Sequence, residues 1–450
     1  MNRESPLPTV CSAEQSYPLG TEMLGWMRDL FPLHRAQTGV GVRKTLRYLQ
    51  HHLPLEIHEV ASGTTVFDWT IPEEWHIRDA FIADSKGQRI VDYRQCNLHV
   101  ASNSQPVCQQ LSYAELEPHL HWLTEPPSLD TVPYRTMFFR QEWGFCVSQR
   151  MLDRLKTDPA EKFTVVIDAT FSPGSLSYGE AILPGQSRET ILLYAHCCHP
   201  SLANDNLSGI VVATMLGKQL VKRAKQQPLR RTYRIVFAPA TIGAITWLAA
   251  NQADLPQVYA GLILTLLGSS GPFIYKKSRR GATVIDRAIE VLWRELDNQG
   301  RTIPFAPWGY DERQFGAPGF DLPVGCLMRT TPSEFSEYHT SADNLEKIQA
   351  QTLQETLKTL QQLLTILESN DLPVNQSPFG EPRLGPRGLY RPYGADDSLG
   401  RFQEAVLWIL NLADGDHDLL DICQQGQLPW KLVSLAAEAL RQQGLIKSVD

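Results

Sequence analysis

The stretch YAHCCHPSLANDNLSG, Tyr194 to Gly209, packs two histidines, two cysteines, an aspartate and two asparagines into sixteen residues. Three chemistries fit those residue types. A catalytic zinc ion takes three nitrogen, sulfur or carboxylate ligands and keeps a position for water. His196 and Asp205, nine positions apart, could supply two of them from the ends of one loop. The third candidate is His339 in SEFSEYHTSADNLEKI, because TSADN reads as a helix start with Thr340 or Ser341 as cap, which leaves His339 in a loop beside the sheet edge. His-Asp-His is a zinc-type set. Alternatively, Cys198 beside His199 meets the letter of a thiol nucleophile with its base, although adjacent residues rarely aim at one another. The third reading needs no chemistry: NDN is ordinary turn and N-cap composition, and a histidine can simply be hydrogen-bonded structure.

The elements that must position these residues follow from periodicity. From residue 160 onward, strand-like runs (KFTVVIDATF, TILLYAH, YRIVFAP, AGLILTLLG) alternate with helical segments at about 206–227, 242–251, 282–298 and 343–368. That alternation predicts a three-layer αβα domain around a mostly parallel sheet, whose ligands bind at the carboxyl ends of strands. His196 closes one such strand. Residues 20–55 read as helices. Short strands with a DSKGQ hairpin turn follow to about 110, as a small all-β unit that either buttresses the core or overhangs its cleft. The expected division is a core of 20–70 and 130–370, a β-rich insert of 71–129, a Pro- and Gly-rich linker of 371–400, and a winged-helix-like unit of 401–450.

The 450-residue chain carries a net charge of −7, which gives no support to general nucleic-acid binding. Residues 391–450 hold five Lys and Arg against nine Asp and Glu, a net of −4, so the winged helix reads as a packing or partner-docking unit rather than a DNA reader. The eight cysteines are scattered without a CxxC pair, no apolar run is long enough to cross a bilayer, and MNRESPLPTVCSAEQ has no apolar signal core. The expectation is a cytoplasmic protein without membrane association.

ILLYAHCCHPSLANDNLSG resembles the zinc-binding segment of the co-catalytic zinc aminopeptidase clan, in which a strand ends in AHxD and a (D/N)D(N/D)xSG element follows. PEEWHIRDAFIAD, NLHVAS, EWGFC, TIGAI, YKKSRRG, DERQFGAPGFDLPVG and EYHTSADN extend the likeness, over about residues 70–345, to a subfamily with an aminopeptidase-like core, a β insert and a C-terminal winged helix. The resemblance implies that His196 is the first histidine ligand, Asp205 the metal-bridging aspartate and His339 the last histidine ligand. The clan's HxD aspartate falls on Cys198, leaving His199 as a spare imidazole that either supports the ligands or joins them.

The clan's general-base and zinc-ligand glutamates fall on Ala240 and Thr241, and its later aspartate ligand near Thr265 or Leu266. One zinc on His196, Asp205 and His339 is then the economical arrangement. Ala240 has three explanations: an inactivating Glu-to-Ala change, a natural pseudoenzyme, or a base supplied by another carboxylate, for which Glu337 and Glu312 are candidates. Arg279 or Arg280, in YKKSRRG, could hold a substrate carboxylate or form a solvated face. Asp311, in DERQ, could meet a substrate amine or sit in a salt-bridged turn. The implied activity is zinc-dependent hydrolysis of an amide next to a free amine, in a short peptide, an aminoacyl amide or a biosynthetic intermediate. The alternative is a metal-binding scaffold that docks a protein, or a second copy of itself, through the winged helix.

Overall fold

The apolar run around Ile191–Ala195 is buried on both faces, as the middle of a parallel sheet requires. The computed structural model describes residues 17–158, 160–297, 299–390 and 397–448. In chain order the strands are β1 (Glu56–Ala61), β2 (Glu74–Ala83), β3 (Arg89–Asp92), β4 (Val107–Ser112), β5 (Lys162–Ser172), β6 (Ser175–Leu183), β7 (Ser187–His196), β8 (Arg231–Ala238), β9 (Val258–Leu264), β10 (Phe273–Lys276), β11 (Gly300–Ile303), β12 (Val324–Met328), β13 (Pro373–Asn375) and β14 (Ile446–Ser448). The principal helices are α1 (Pro18–Leu30), α2 (Val40–Gln50), α3 (Gln149–Lys156), α4 (Gly209–Ala224), α5 (Ile242–Ala250), α6 (Val284–Glu295), α7 (Glu312–Phe315), α8 (Ala350–Ser369), α9 (Asp397–Leu412), α10 (Leu419–Gln425) and α11 (Trp430–Gln442).

The large sheet has the order β1-β6-β8-β7-β9-β12-β10-β11. Its centre, β8-β7-β9-β12, is parallel, and β10 runs antiparallel to β12. Successive side chains of a strand face opposite layers. Ile191, Leu193 and Ala195 accordingly enter the core built with α1, α2, α4, α6 and α8, whereas Leu192 and Tyr194 enter the one built with α5 and α7. The three-layer αβα architecture expected from the sequence is present.

One strand belongs elsewhere. KFTVVIDATF forms β5, which was expected in the alternating region but lies in a second, antiparallel sheet of order β3-β2-β5-β4. The reason is legible in its side chains: Phe163, Val165, Ile167 and Ala169 are buried and alternate with more exposed residues, the signature of a sheet with one wet face. The small sheet therefore draws on residues up to Ser172, well beyond 129. Its DSKGQ turn is a hairpin in which Asp84 Oδ1 accepts the Lys86 and Gln88 N–H groups, with Gly87 at φ 80°.

The expected linker also begins too early at 371. Pro373–Asn375 pairs antiparallel with Ile446–Ser448, closing the wing, and Asp371 accepts from Arg441 at 2.6 Å; residues 391–396 of that linker lie outside the described residues. The C-terminal unit docks on α6. Arg287 reaches Asp418 at 2.8 and 2.9 Å and Asp421 at 2.6 Å, and the Trp430 N–H donates to Glu295 at 2.8 Å. The exposed residues of α11 include Lys431, Leu435, Glu438 and Gln442, one cation balanced by one anion, so this helix presents no basic footprint for phosphates. Arg287→Ala is expected to cost roughly 1–3 kcal/mol, since it strands two partly buried carboxylates. An unchanged denaturation midpoint would show that the clamp is idle. No helix among the described residues is long and apolar enough to cross a membrane.

Candidate metal centre

His196 is the last residue of β7 and pairs with Ala238 at the carboxyl end of β8. The chain then leaves the sheet, the Cys197 N–H donating to the Ala238 carbonyl at 3.0 Å. Asp343 shapes the segment that returns Asp205 toward His196. Its Oδ1 accepts the Asn204 N–H at 2.7 Å, its Oδ2 the Asp205 N–H at 3.0 Å, and its main-chain carbonyl the Ala203 N–H at 3.1 Å. Burial pushes the Asp343 carboxyl up to about 7 against those donors. Gly209 opens α4 because a Cβ there would stand 2.3 Å from the Leu264 carbonyl oxygen. The terminal glycine of NDNLSG is thus a close-approach glycine.

The loop brings four potential ligands together. His196 Nε2 lies 2.9 Å from Asp205 Oδ1, and His339 Nε2 lies 3.0 Å from Asp205 Oδ2. The donor atoms of His196, His199 and Asp205 all lie within 4.8 Å of one another. The His199 ring centroid is 5.0 Å from both the His196 and the His339 ring. The compact triad therefore contains His199, the residue that sequence left as a spare imidazole, and His339 occupies the other oxygen of the shared carboxylate.

Hydrogen bonding alone does not account for these atoms. His199 Nδ1, Asp205 Oδ2 and His339 Nε2 are buried without an aligned hydrogen-bond partner. Buried polar atoms are ordinarily paired, and ligands about 2.0–2.1 Å from a tetrahedral ion stand roughly 3.3 Å from each other. The charge states also suit a cation. Burial holds the His199 imidazole well below its ordinary value, so it is neutral. Burial alone would raise Asp205, but His199, His196 and His339 hold its carboxyl well below the usual range. Neutral imidazoles around one carboxylate are a fitting donor set for zinc.

The cysteines do not read as nucleophiles. Burial pushes the Cys198 thiol up to about 12 and Cys197 higher still, whereas reactive thiols are depressed. Cys198 Sγ accepts the Ala240 N–H at 3.2 Å. The orienting acid expected behind His196 is replaced by an amide: Asn206 Nδ2 lies 3.3 Å from His196 Nδ1 and donates to the Leu264 carbonyl at 2.9 Å.

Several expected functional residues are committed elsewhere. Glu312 is buried with its Oε1 in an ion pair with Lys276 at 2.6 Å and its Oε2 without an aligned partner, whereas Glu337 pairs with Lys347 at 2.9 Å and Ser336 at 2.8 Å through its two oxygens. Asp311 is 2% exposed, with its Oδ1 accepting the Thr241 N–H at 2.8 Å and its Oδ2 buried without an aligned partner. Arg279 and Arg280 pair with Asp321 at 3.0 and 3.7 Å. Because β10 runs antiparallel to β12, the turn after it lies at the opposite end of the sheet from His196. There Arg280 lines a hollow with Glu189, Gln257 and Val258, near the amino ends of β7 and β9.

Three tyrosines that the sequence reading passed over wall the centre. Tyr310 stacks on His196 at 5.3 Å, Tyr338 on His339 at 4.0 Å, and Tyr134 meets His199 and His339 edge-on at 5.1 Å. Tyr134 arrives on a strap whose backbone bonds the His339 loop, its N–H donating to the His339 carbonyl at 2.7 Å. Only the adjacency of Tyr338 to His339 gave a sequence signal. Buried Arg35 supports the loop from behind, its Nε donating to the His199 carbonyl at 2.8 Å. Non-glycine residues with left-handed backbone mark three corners of the centre, Thr241, Leu266 and His339, at φ 61°, 49° and 54°. Such conformations cost about 1–3 kcal/mol each and concentrate at functional sites.

Residues 24–370 match the protein family described as a domain of unknown function, DUF4910. The chain belongs to this family. Behind its DUF4910 core, residues 371–448 match a winged helix-turn-helix family. A Clostridium acetobutylicum protein named as a candidate polysaccharide biosynthesis protein with an aminopeptidase-like domain is 42% identical over 436 residues, 97% of this chain and 98% of its own length. The crystal structure of a candidate peptidase from Clostridium acetobutylicum matches this DUF4910 protein with a TM-score of 0.87 at 40% identity, covering 97% of this chain and 98% of that one. A zinc aminopeptidase from Bacillus subtilis shares the fold at a TM-score of 0.55 and 14% identity, over 77% of this chain and 94% of its own. The aminopeptidase-like fold and the C-terminal winged helix are both established for this DUF4910 chain.

Proposed function

We propose that the protein is a zinc-dependent amide hydrolase whose ion is held by His196, His199 and Asp205, with His339 on the second oxygen of Asp205. The observation that carries this reading is the set of buried, unpartnered donor atoms converging on one carboxylate at the carboxyl end of β7. A bound zinc ion would supply Lewis acidity toward a carbonyl oxygen and lower the pKa of water. The chain itself contributes the imidazoles and a low-dielectric wall of tyrosines. Burial keeps the Tyr310 hydroxyl well above its ordinary value, so it stays protonated and is a donor near Asp205. The name of the Clostridium acetobutylicum relative, which joins an aminopeptidase-like domain to polysaccharide biosynthesis, favours a biosynthetic amidase over a general peptidase.

The second reading, a metal-binding scaffold, rests on Ala240. Its N–H is spent on Cys198, it has no proton-accepting side chain, and Glu312 and Glu337 are each held by a lysine. Metal analysis of the full chain after zinc loading tests the site that both readings share. About one tightly held ion per chain is expected, with at least tenfold weaker binding in His199→Ala. A chain that retains no zinc would sink the assignment. Zinc retention without hydrolysis of any amide, by either the wild type or Ala240→Glu, selects the scaffold.

A further inference from the structure

Among the described residues four arginines are nearly enclosed: Arg35, Arg231, Arg234 and Arg329, at 1, 2, 6 and 8% exposure. Three of them face a carboxylate. Arg231 pairs with Glu189 at 3.0 Å, Arg234 with Glu180 at 2.6 Å and Arg329 with Glu355 at 3.5 Å. Arg35, the most deeply buried, has no carboxylate partner among the described residues. Its Nε donates to the His199 carbonyl at 2.8 Å and its Nη1 to the Leu30 carbonyl at 2.6 Å, while its Nη2 is buried without an aligned partner. A guanidinium keeps its proton in proteins, and burying one without a counter-ion is costly.

Both of its acceptors are informative. Leu30 ends α1, and the carboxyl end of a helix carries partial negative charge, so the helix end takes the place of a counter-ion. His199 belongs to the loop that carries the candidate centre. A second bond fastens that loop to the same helix end: Ser201 Oγ donates to the Phe31 carbonyl at 2.8 Å. Pro200 lies between the two bonds, offers no N–H, and biases the backbone of His199 toward extended conformations.

The His199 ring lacks the usual means of aim. A ligating histidine is ordinarily directed by a hydrogen bond to the ring nitrogen that faces away from the ion. His196 has Asn206 Nδ2 at 3.3 Å from its Nδ1. Among the described residues nothing hydrogen-bonds the His199 ring, which meets the rings of Tyr134, His196 and His339. Its direction therefore comes from ring packing and from its own main chain. We propose that Arg35 is the positioning residue of His199: it fastens the His199 carbonyl to the end of α1 and thereby holds the imidazole toward Asp205. The proposal rests on the zinc-site reading and adds to it a residue that touches neither ion nor substrate.

Zinc affinity of the full chain, read by competition with a chelator, tests the link through a double-mutant cycle. Arg35→Met is expected to weaken zinc binding about tenfold or more, the usual cost of losing a group that orients a ligand. In a chain that already carries His199→Ala, Arg35→Met is expected to change the affinity by less than about threefold, since nothing is left for it to aim. The visible absorption of the cobalt-loaded chain follows ligand number, and Arg35→Met is expected to shift it to the form shown by His199→Ala. A loss of about tenfold in both backgrounds, an unchanged affinity in Arg35→Met, or a cobalt spectrum that keeps its wild-type form overturns the proposal and leaves the zinc-site reading intact. A wild-type chain that takes up no zinc overturns both. Should Arg35→Met not fold, Arg35→Gln, neutral but able to donate to one carbonyl, goes through the same cycle and is judged by the same outcomes.

Discussion

Ala240→Glu is expected to raise amide hydrolysis by the zinc-loaded chain about 10²–10⁴-fold, the usual worth of a positioned general base. Ala240 follows β8 just beyond the strand end that pairs with His196, and it is half-buried. Its N–H is held by Cys198 Sγ, and the next N–H by Asp311 Oδ1, so the backbone that would carry the new carboxylate is already fixed. Ala240→Gln is the control, matching the size of glutamate without its basicity, and should stay near the wild-type rate. The measurement is kcat/KM on an amide substrate with zinc content determined on the same samples. Equal rates for Ala240→Glu and Ala240→Gln at equal zinc content would remove position 240 from the chemistry.

Asp205→Ala is expected to lower zinc affinity by more than about 100-fold, exceeding the usual effect of losing a group that merely orients a ligand. Asp205 is 0% exposed and is the single ionised carboxylate among the imidazoles; each of its oxygens stands about as far from a histidine nitrogen as two ligands of one ion do. Without it, the remaining candidates are imidazole nitrogens, which bring no negative charge to offset that of a dication. Competition against a chromophoric chelator reads the affinity directly. Retention of zinc within about threefold of the wild type would show that the ion, if bound at all, sits elsewhere.

What the sequence disclosed here was local. His196, Asp205 and the strand-loop-helix around them were legible because nine residues and one change of period define that unit. His339 does lie in a loop, but the helix behind it begins only at Ala350, and Asn344 rather than Thr340 or Ser341 caps the short 3-10 turn before it. Asp205, however, is presented by Asp343, more than a hundred positions away, and Tyr134 reaches His339 from the far side of the insert. Spacing along the chain carries no record of either contact. The arginines misled for a related reason: a cationic run after a strand reads as a cleft residue only if the strand is parallel to its neighbours, and β10 is not. Glu312 and Glu337 looked free because Lys276 and Lys347 lie 36 and 10 positions away and their pairing depends on the fold. The displaced β5 was decipherable from its alternating burial, a period-two pattern that a buried parallel strand lacks.

The bond between Asn204 and Asp343 spans 139 positions. Contacts so distant in sequence form only after a large loop has closed. A small zinc module gathers its ligands from neighbouring residues and is unfolded until metal arrives. This chain is organised in the opposite sense: its hydrophobic layers are built from apolar contacts away from the centre, so a cation would enter a frame that the core already holds. Chelation should strip the centre and leave the cooperative unfolding of the αβα layers largely as it was.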